Sequence, residues 1–196
     1  MNLALFDFDG TITKKETISE FLRFCIGNTR FVLAVVRVFP SILGYFSGLI
    51  GNQEIKERLL FETVGGWQEE WLVEKGQEFA KKRLPSLIRP KALERIRWHK
   101  ERGDRIVLIS ASLIYYLRPW ADIVGIKEVI GVELEIADGR ITGKLLGKNC
   151  YGAEKVRRLK ELLDISNFDE IYAYGDSRGD REMLALANYP FFRPFK

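Results

Sequence analysis

The chain is poor in the residues that build disulfide frameworks and zinc sites. It has two cysteines, Cys25 and Cys150, and one histidine, His99. Two cysteines make no disulfide scaffold, so a reducing compartment and a cytoplasmic protein are the simpler expectation. One histidine and two scattered cysteines cannot assemble a tetrahedral zinc site. His99 lies in a charged stretch, Trp98 to Arg102, and reads as a surface position on a helix. A secretory leader is lacking too: no basic residue precedes the first acid in Met1-Asn2-Leu3-Ala4-Leu5-Phe6-Asp7. Internal repeats and low-complexity linkers are absent. There is no large excess of one charge, only 31 basic against 27 acidic residues. The resulting +4 does not argue for nucleic acid, and none is expected. It suits a small anionic substrate or an anionic membrane surface equally well.

What is present is ordinary for a folded protein. With 46% hydrophobic and 30% charged residues, global disorder is excluded. A length of 196 residues suffices for one core domain and a small accessory lobe. Leu3 to Phe8 is an apolar run ending in acid, and it reads as a buried strand of a parallel sheet. Arg105 to Ile109 and Ile171 to Tyr174 are two more. Helical spacing occupies Pro90 to Arg102, Ser112 to Val124, Ala153 to Leu163 and Asp180 to Asn188. Alternating strands and helices predict an α/β, doubly wound parallel-sheet core. Val129 to Leu146 reads as strand, Asp138-Gly139 turn, strand, which is a hairpin signal. Thr17 to Ser86 lacks convincing strands and looks helical. It follows the first strand directly, so it predicts a small helical cap over that strand's carboxyl end. The expected division is residues 1–14 and 87–196 as core and 15–86 as cap.

Phe31 to Ile50 is strongly apolar and nearly as long as a membrane span. Arg37 sits near its middle, which costs about 2.5–3.5 kcal/mol on insertion scales. Three readings stand open: helices packed in the cap, a membrane-docking surface, and a true span.

The chemistry-bearing residues cluster at predicted strand ends. Asp7-Phe8-Asp9-Gly10-Thr11 closes the first strand, and open α/β sheets bind ligands there. One carboxylate can attack phosphorus while the other handles protons. Gly175-Asp176-Ser177-Arg178-Gly179-Asp180 closes a later strand with two more acids. Clustered carboxylates suit Mg²⁺, a hard cation that prefers oxygen ligands. Ser110-Ala111-Ser112 offers a hydroxyl and backbone N–H groups for a phosphate. Lys155, in the first turn of a helix, opposes the helix dipole and needs another reason to be there. Each of these has a plain structural reading as a cap or a polar turn. No single plain reading covers acid pair, hydroxyl, lysine and acid pair in that order.

In these motifs the chain resembles the haloacid dehalogenase (HAD) superfamily, in the subfamily IB branch that contains phosphoserine phosphatases. The resemblance implies a Rossmann-like HAD core and a Mg²⁺-dependent phosphomonoester hydrolase with an aspartyl-phosphate intermediate. It makes Asp7 the nucleophile and Asp9 the general acid and base. Ser110, Ala111 and Lys155 hold the phosphoryl group. Asp7, Asp9 (through its backbone carbonyl), Asp176 and Asp180 form the metal site. Glu16-Thr17-Ile18 resembles the segment whose glutamate meets a substrate amino group, and Arg58 is the matching candidate for a substrate carboxylate. The implied substrate is a small phosphoserine-like metabolite. Gly10, Ser110-Ala111-Ser112, Gly179 and Cys150 to Lys155 look more like a neighbouring group that includes phosphatidylglycerophosphate phosphatases. A lipid headgroup is therefore one alternative, and phosphoryl transfer to an acceptor alcohol is another.

Overall fold

Four consecutive apolar residues, Leu3–Phe6, form strand β1, and all four are fully buried. A strand covered on both faces shows a continuous apolar run rather than alternation. In this computed structural model, which describes residues 1–196 apart from the side chain of Phe46, β1 is the middle strand of a five-stranded sheet. The order is β3 (Glu128–Val132), β2 (Arg105–Leu113), β1, β6 (Ile171–Gly175) and β7 (Tyr189–Phe192). Every pairing in it is parallel. The α/β parallel-sheet expectation therefore holds.

The strand order positions everything that follows. The chain extends the sheet from β1 to one side through β2 and β3, then returns to the other side with β6 and β7. Such a reversal leaves a crevice at the carboxyl ends of the central strands. Phe6 pairs with both Leu108 and Tyr174. The ladder ends where the Asp7 N–H donates to the Tyr174 carbonyl at 2.9 Å. Asp7 and Asp176, directly past β1 and β6, and Ser110, near the end of β2, thus meet at the same sheet edge.

Between β1 and β2 the chain is helical: α1 (Thr17–Ile26), α2 (Asn28–Phe46), α3 (Asn52–Val64), α4 (Glu69–Lys82), the single turn α5 (Leu84–Leu87) and α6 (Pro90–Glu101). After β2 come α7 (Ile114–Val124), then α8 (Ala153–Leu162) and α9 (Arg181–Ala185). The hairpin β4 (Leu134–Ala137) and β5 (Arg140–Leu145) turns at Asp138-Gly139, both in the left-handed region at φ 48° and 72°, as a two-residue hairpin turn requires. It packs against the helices, not the sheet. Gly66 N–H donates to Ile141 O at 2.8 Å, and Ile141 N–H donates to Trp67 O at 2.9 Å.

Several boundaries differ from the sequence expectation. β2 runs on to Leu113 because Leu113 pairs with Val132 after a register shift, so α7 begins at Ile114 instead of Ser112. The helix expected over Asp180 to Asn188 is a tight turn (Arg178–Asp180) followed by the short α9. The chain then forms edge strand β7, whose Pro190 hides it in sequence but is tolerated at an edge. Among the described residues no helix is long and apolar enough to cross a membrane. The apolar stretch is mostly α2, which buries Phe31, Ala34, Val38 and Ser41 and exposes Val32, Leu33, Val36, Phe39 and Leu43.

His99 corrects the sequence reading most clearly. It is fully buried, not a surface position. Its Nδ1 lies 2.8 Å from Asp104 Oδ2 and its Nε2 2.9 Å from the Tyr174 hydroxyl. The charged neighbours in sequence point elsewhere, while His99 itself faces the sheet edge-on to Phe6. Burial pushes its pKa below the ordinary 6.5, against the pull of Asp104. The folded state therefore disfavours the proton that the unfolded chain accepts. This contribution to stability is present above about pH 6.5 and is lost as pH falls further. His99→Gln should cost about 1–3 kcal/mol near neutral pH through its unmet partners. The gap to the unsubstituted chain should narrow between about pH 7.5 and pH 5.5, as read by denaturant unfolding. A gap that stays constant or widens would contradict this account of His99.

Candidate active site

Asp7 follows β1 directly and is 5% exposed, so its carboxylate has few routes to water. Lys155 Nζ donates to Asp7 Oδ1 at 2.6 Å and to Asp180 Oδ1 at 2.6 Å. Thr11 Oγ1 donates to Asp7 Oδ2 at 2.9 Å. Asp180 is held more fully. Its Oδ2 also accepts from the N–H groups of Asp176 (3.1 Å) and Ser177 (3.0 Å) and from the Ser177 hydroxyl (2.9 Å). The two acids respond differently. Burial, helped by the charges of Asp180 and Asp9, pushes Asp7 up to about 7 despite Lys155. For Asp180 burial is outweighed by Lys155 and the Ser177 donors, and its pKa falls below the usual carboxylate value. Burial likewise opposes the Lys155 charge, but Asp7 and Asp180 more than offset it and raise its pKa.

Asp176 completes the acidic group. One oxygen each from Asp7, Asp176 and Asp180 lies within 4.8 Å of the others. Lys196 donates to Asp176 Oδ2 at 2.8 Å. Gly10 makes the approach possible: its φ is 75°, and a Cβ there would come 2.5 Å from Asp176 Oδ2. This donor set fits a hard divalent cation. It is all oxygen and acid-rich.

Asp7 and Lys155 open onto a cavity of about 470 Å³. Asp7, Asp9, Ser110, Ala111, Glu16 and Lys155 all line it. Both oxygens of Asp9 are taken. The Thr17 N–H (3.0 Å) and hydroxyl (2.6 Å) donate to Oδ1, and the Ser112 hydroxyl (2.8 Å) donates to Oδ2. Ser110 Oγ accepts from the Ser112 N–H at 3.0 Å, which leaves its own proton free to donate. Glu16 remains exposed on one side. Enclosure, then the charges of Asp9, Asp7 and Asp176, push its pKa up to about 7; water screens part of that repulsion.

The structure does not bring Arg58 to this cavity. Arg58 binds Glu54 at 2.6 Å and also Ser41, and it lines a separate groove with Arg37 and Thr142. Lys56, on α3, is the cation that faces the cavity. It donates to the Ala111 carbonyl and to Asn149 Oδ1 (3.1 Å). Burial pulls its pKa down to about 8, opposed by Asp9 and Glu16. Successive residues of a helix turn by about 100°, so positions two apart face nearly opposite ways. Asn52, Ile55, Lys56 and Leu59 all line the cavity and form one helical stripe; Arg58 lies off it. That stripe was the available signal in the sequence. The hydroxyls of Thr17 and Ser112 on Asp9 had no comparable one.

A model of the haloacid dehalogenase-like hydrolase family matches residues 4–185. The chain belongs to that family. It is a phosphoserine phosphatase-like member, an enzyme that hydrolyses phosphomonoesters. It is 34% identical to Protein CicA of Caulobacter vibrioides, over 99% of this chain and 86% of that protein. It is 26% identical to a histidinol-phosphatase of Neisseria meningitidis, over 96% of this chain and 88% of that one. A phosphoserine phosphatase solved as a phospho-aspartyl intermediate analogue superposes with a TM-score of 0.66 at 21% identity. That superposition covers 94% of this chain and 82% of the other, and it shows the shared fold.

Proposed function

We propose that the protein is a Mg²⁺-dependent phosphatase in which Asp7 is the nucleophile and forms an aspartyl-phosphate. The observation that carries this is the buried Lys155 bridging Asp7 and Asp180 beside Asp176, where Asp7 and Lys155 open onto a cavity. Asp7 Oδ2 keeps a single hydrogen-bond donor, Thr11, whereas Asp180 is saturated. Asp7 is thus the acid left able to react, and Asp180 the fixed one. An Asp7 oxygen attacks phosphorus as the bond to the leaving oxygen breaks, and Asp9 supplies the proton that releases an alcohol. Asp9 then takes a proton from water as that water attacks phosphorus and frees Asp7. Lys155 neutralises charge on the phosphoryl oxygens, and the Ser110 hydroxyl donates to one of them. A magnesium ion held by Asp7, Asp176, Asp180 and the Asp9 carbonyl would add Lewis-acid charge stabilisation.

Residues 15–86 act in this reading as a cap that shapes the leaving-group side. Glu16, Lys56, Asn52 and Asn149 face the cavity there, an acid, a base and two amides. Such walls suit a small polar alcohol bearing an amine. Phosphoserine and the histidinol phosphate named for the Neisseria relative share that feature. Phosphate release from an aryl phosphate and from phosphoserine tests the proposal. We expect turnover that requires Mg²⁺ and is abolished in Asp7→Asn. Equal turnover by both proteins would remove Asp7 from the mechanism.

A second reading, a lipid headgroup as substrate at an anionic membrane surface, is favoured by one observation. Helix α2 carries Arg30 and Arg37 and no acid, and its outer face exposes Val32, Val36, Phe39 and Leu43. Ile42 and Tyr45 of the same helix line the cavity. An amphipathic helix of that composition suits an anionic bilayer interface. Phe46 belongs to the same apolar stretch, but its side chain lies outside the described residues. On this reading Phe39→Ser with Leu43→Ser should lose flotation with anionic vesicles while keeping small-substrate turnover. Equal flotation by the double variant, or none by the unsubstituted chain, would leave α2 without a membrane role.

A further inference from the structure

Asp9 is held by an ordered relay of hydroxyl groups. The Thr17 hydroxyl donates to Asp9 Oδ1, so the Tyr116 hydroxyl, 2.9 Å from Thr17 Oγ1, must be the donor in that contact. Thr17 also gives its backbone N–H to the same Asp9 oxygen. Oδ1 therefore accepts two hydrogen bonds and has no site left for a proton. Oδ2 accepts one, from Ser112. Thr17, Ser112 and Tyr116 are each at most 1% exposed, so water does not compete for these bonds.

This asymmetry bears on the proton that Asp9 must give. It rests on the reading of Asp9 as general acid. We propose that Ser112 is a positioning residue: its hydroxyl fixes the plane of the Asp9 carboxyl and leaves Oδ2 as the oxygen that carries the transferable proton. In the first half-reaction the Asp7 oxygen–phosphorus bond forms and the bond to the leaving oxygen breaks. The proton on Asp9 Oδ2 passes to that leaving oxygen, an alcohol departs, and Asp9 becomes a carboxylate. In the second, a water proton returns to Oδ2 as water oxygen bonds to phosphorus and Asp7 is released. Ser112 does not line the cavity and acts through Asp9. Without its hydroxyl, the carboxyl keeps the Thr17 bonds but can rotate about them, so Oδ2 no longer stays aimed.

General-acid help matters most when the leaving group is a poor one. Alkyl phosphates need the proton, whereas aryl phosphates with acidic phenols need it little. The test is kcat/KM across aryl phosphates of graded phenol pKa and phosphoserine, for the unsubstituted chain, Ser112→Ala, Ser112→Thr and Asp9→Asn. Ser112→Ala should lose about tenfold toward phosphoserine, with a loss that shrinks as the leaving group becomes more acidic. The dependence on leaving-group pKa thus steepens. Ser112→Thr, which keeps the hydroxyl, should restore the original slope. Asp9→Asn should steepen it further. A uniform loss across the series in Ser112→Ala would mean a merely structural role, and no change in slope would mean no role; either overturns the proposal while leaving Asp9 as the acid. If Asp9→Asn itself leaves the slope unchanged, the general-acid reading fails, and the positioning role falls with it.

Discussion

One ammonium group, Lys155, holds two buried carboxylates at 2.6 Å each, and the site depends on that bridge. Buried charges are tolerated only when paired and hydrogen-bonded, and breaking such a pair is costly. Asp7 comes from the end of β1, Asp180 from the turn after β6 and Lys155 from the first turn of α8. The bridge therefore ties three separate segments to one point. The two acids it joins are nevertheless unequal. Asp180 receives a full set of donors and is pulled toward its charged form. Asp7 receives fewer, and burial pushes it up to about 7 despite Lys155. The two acids differ although they share one cation, because their burial and remaining partners differ.

The sheet makes this bridge possible. Parallel strands in register deliver Asp7, Ser110 and Asp176 to one edge, and the reversal of strand order at β1 keeps that edge open. The helical segment and the loop that carries Asn149 and Tyr151 then enclose it. The helical segment reaches the sheet directly, because Lys56 bonds the Ala111 carbonyl in the end of β2 that carries Ser110. Thr17, at the start of α1, holds Asp9. Residues of the helical segment and of the sheet thus meet at Asp9.

The core is legible in sequence because its signals are local. Buried parallel strands read as apolar runs, and their terminal acids stand next to them, so Asp7, Asp176 and Asp180 stand out from sequence alone. The hairpin at Asp138-Gly139 is legible for the same reason. What sequence misses depends on long-range packing. His99 looks exposed because its neighbours are charged, but Asp104 and Tyr174 claim it from the side. Arg58 looks like the cap cation, and only the stripe through Asn52, Ile55, Lys56 and Leu59 shows why Lys56 takes that place. Strand β7 is hidden by Pro190. The Asp9 relay is hidden because its members, Thr17, Ser112 and Tyr116, are distant in sequence and none is charged.

The central claim is that phosphoryl transfer passes through Asp7, and the stereochemical course at phosphorus tests it most directly. A phosphorothioate monoester made chiral at phosphorus with sulfur and two oxygen isotopes would be hydrolysed in water carrying the third, and the configuration of the thiophosphate released determined. Two in-line displacements, first by Asp7 and then by water, predict overall retention. Inversion would mean a single direct attack by water and would contradict the aspartyl-phosphate account.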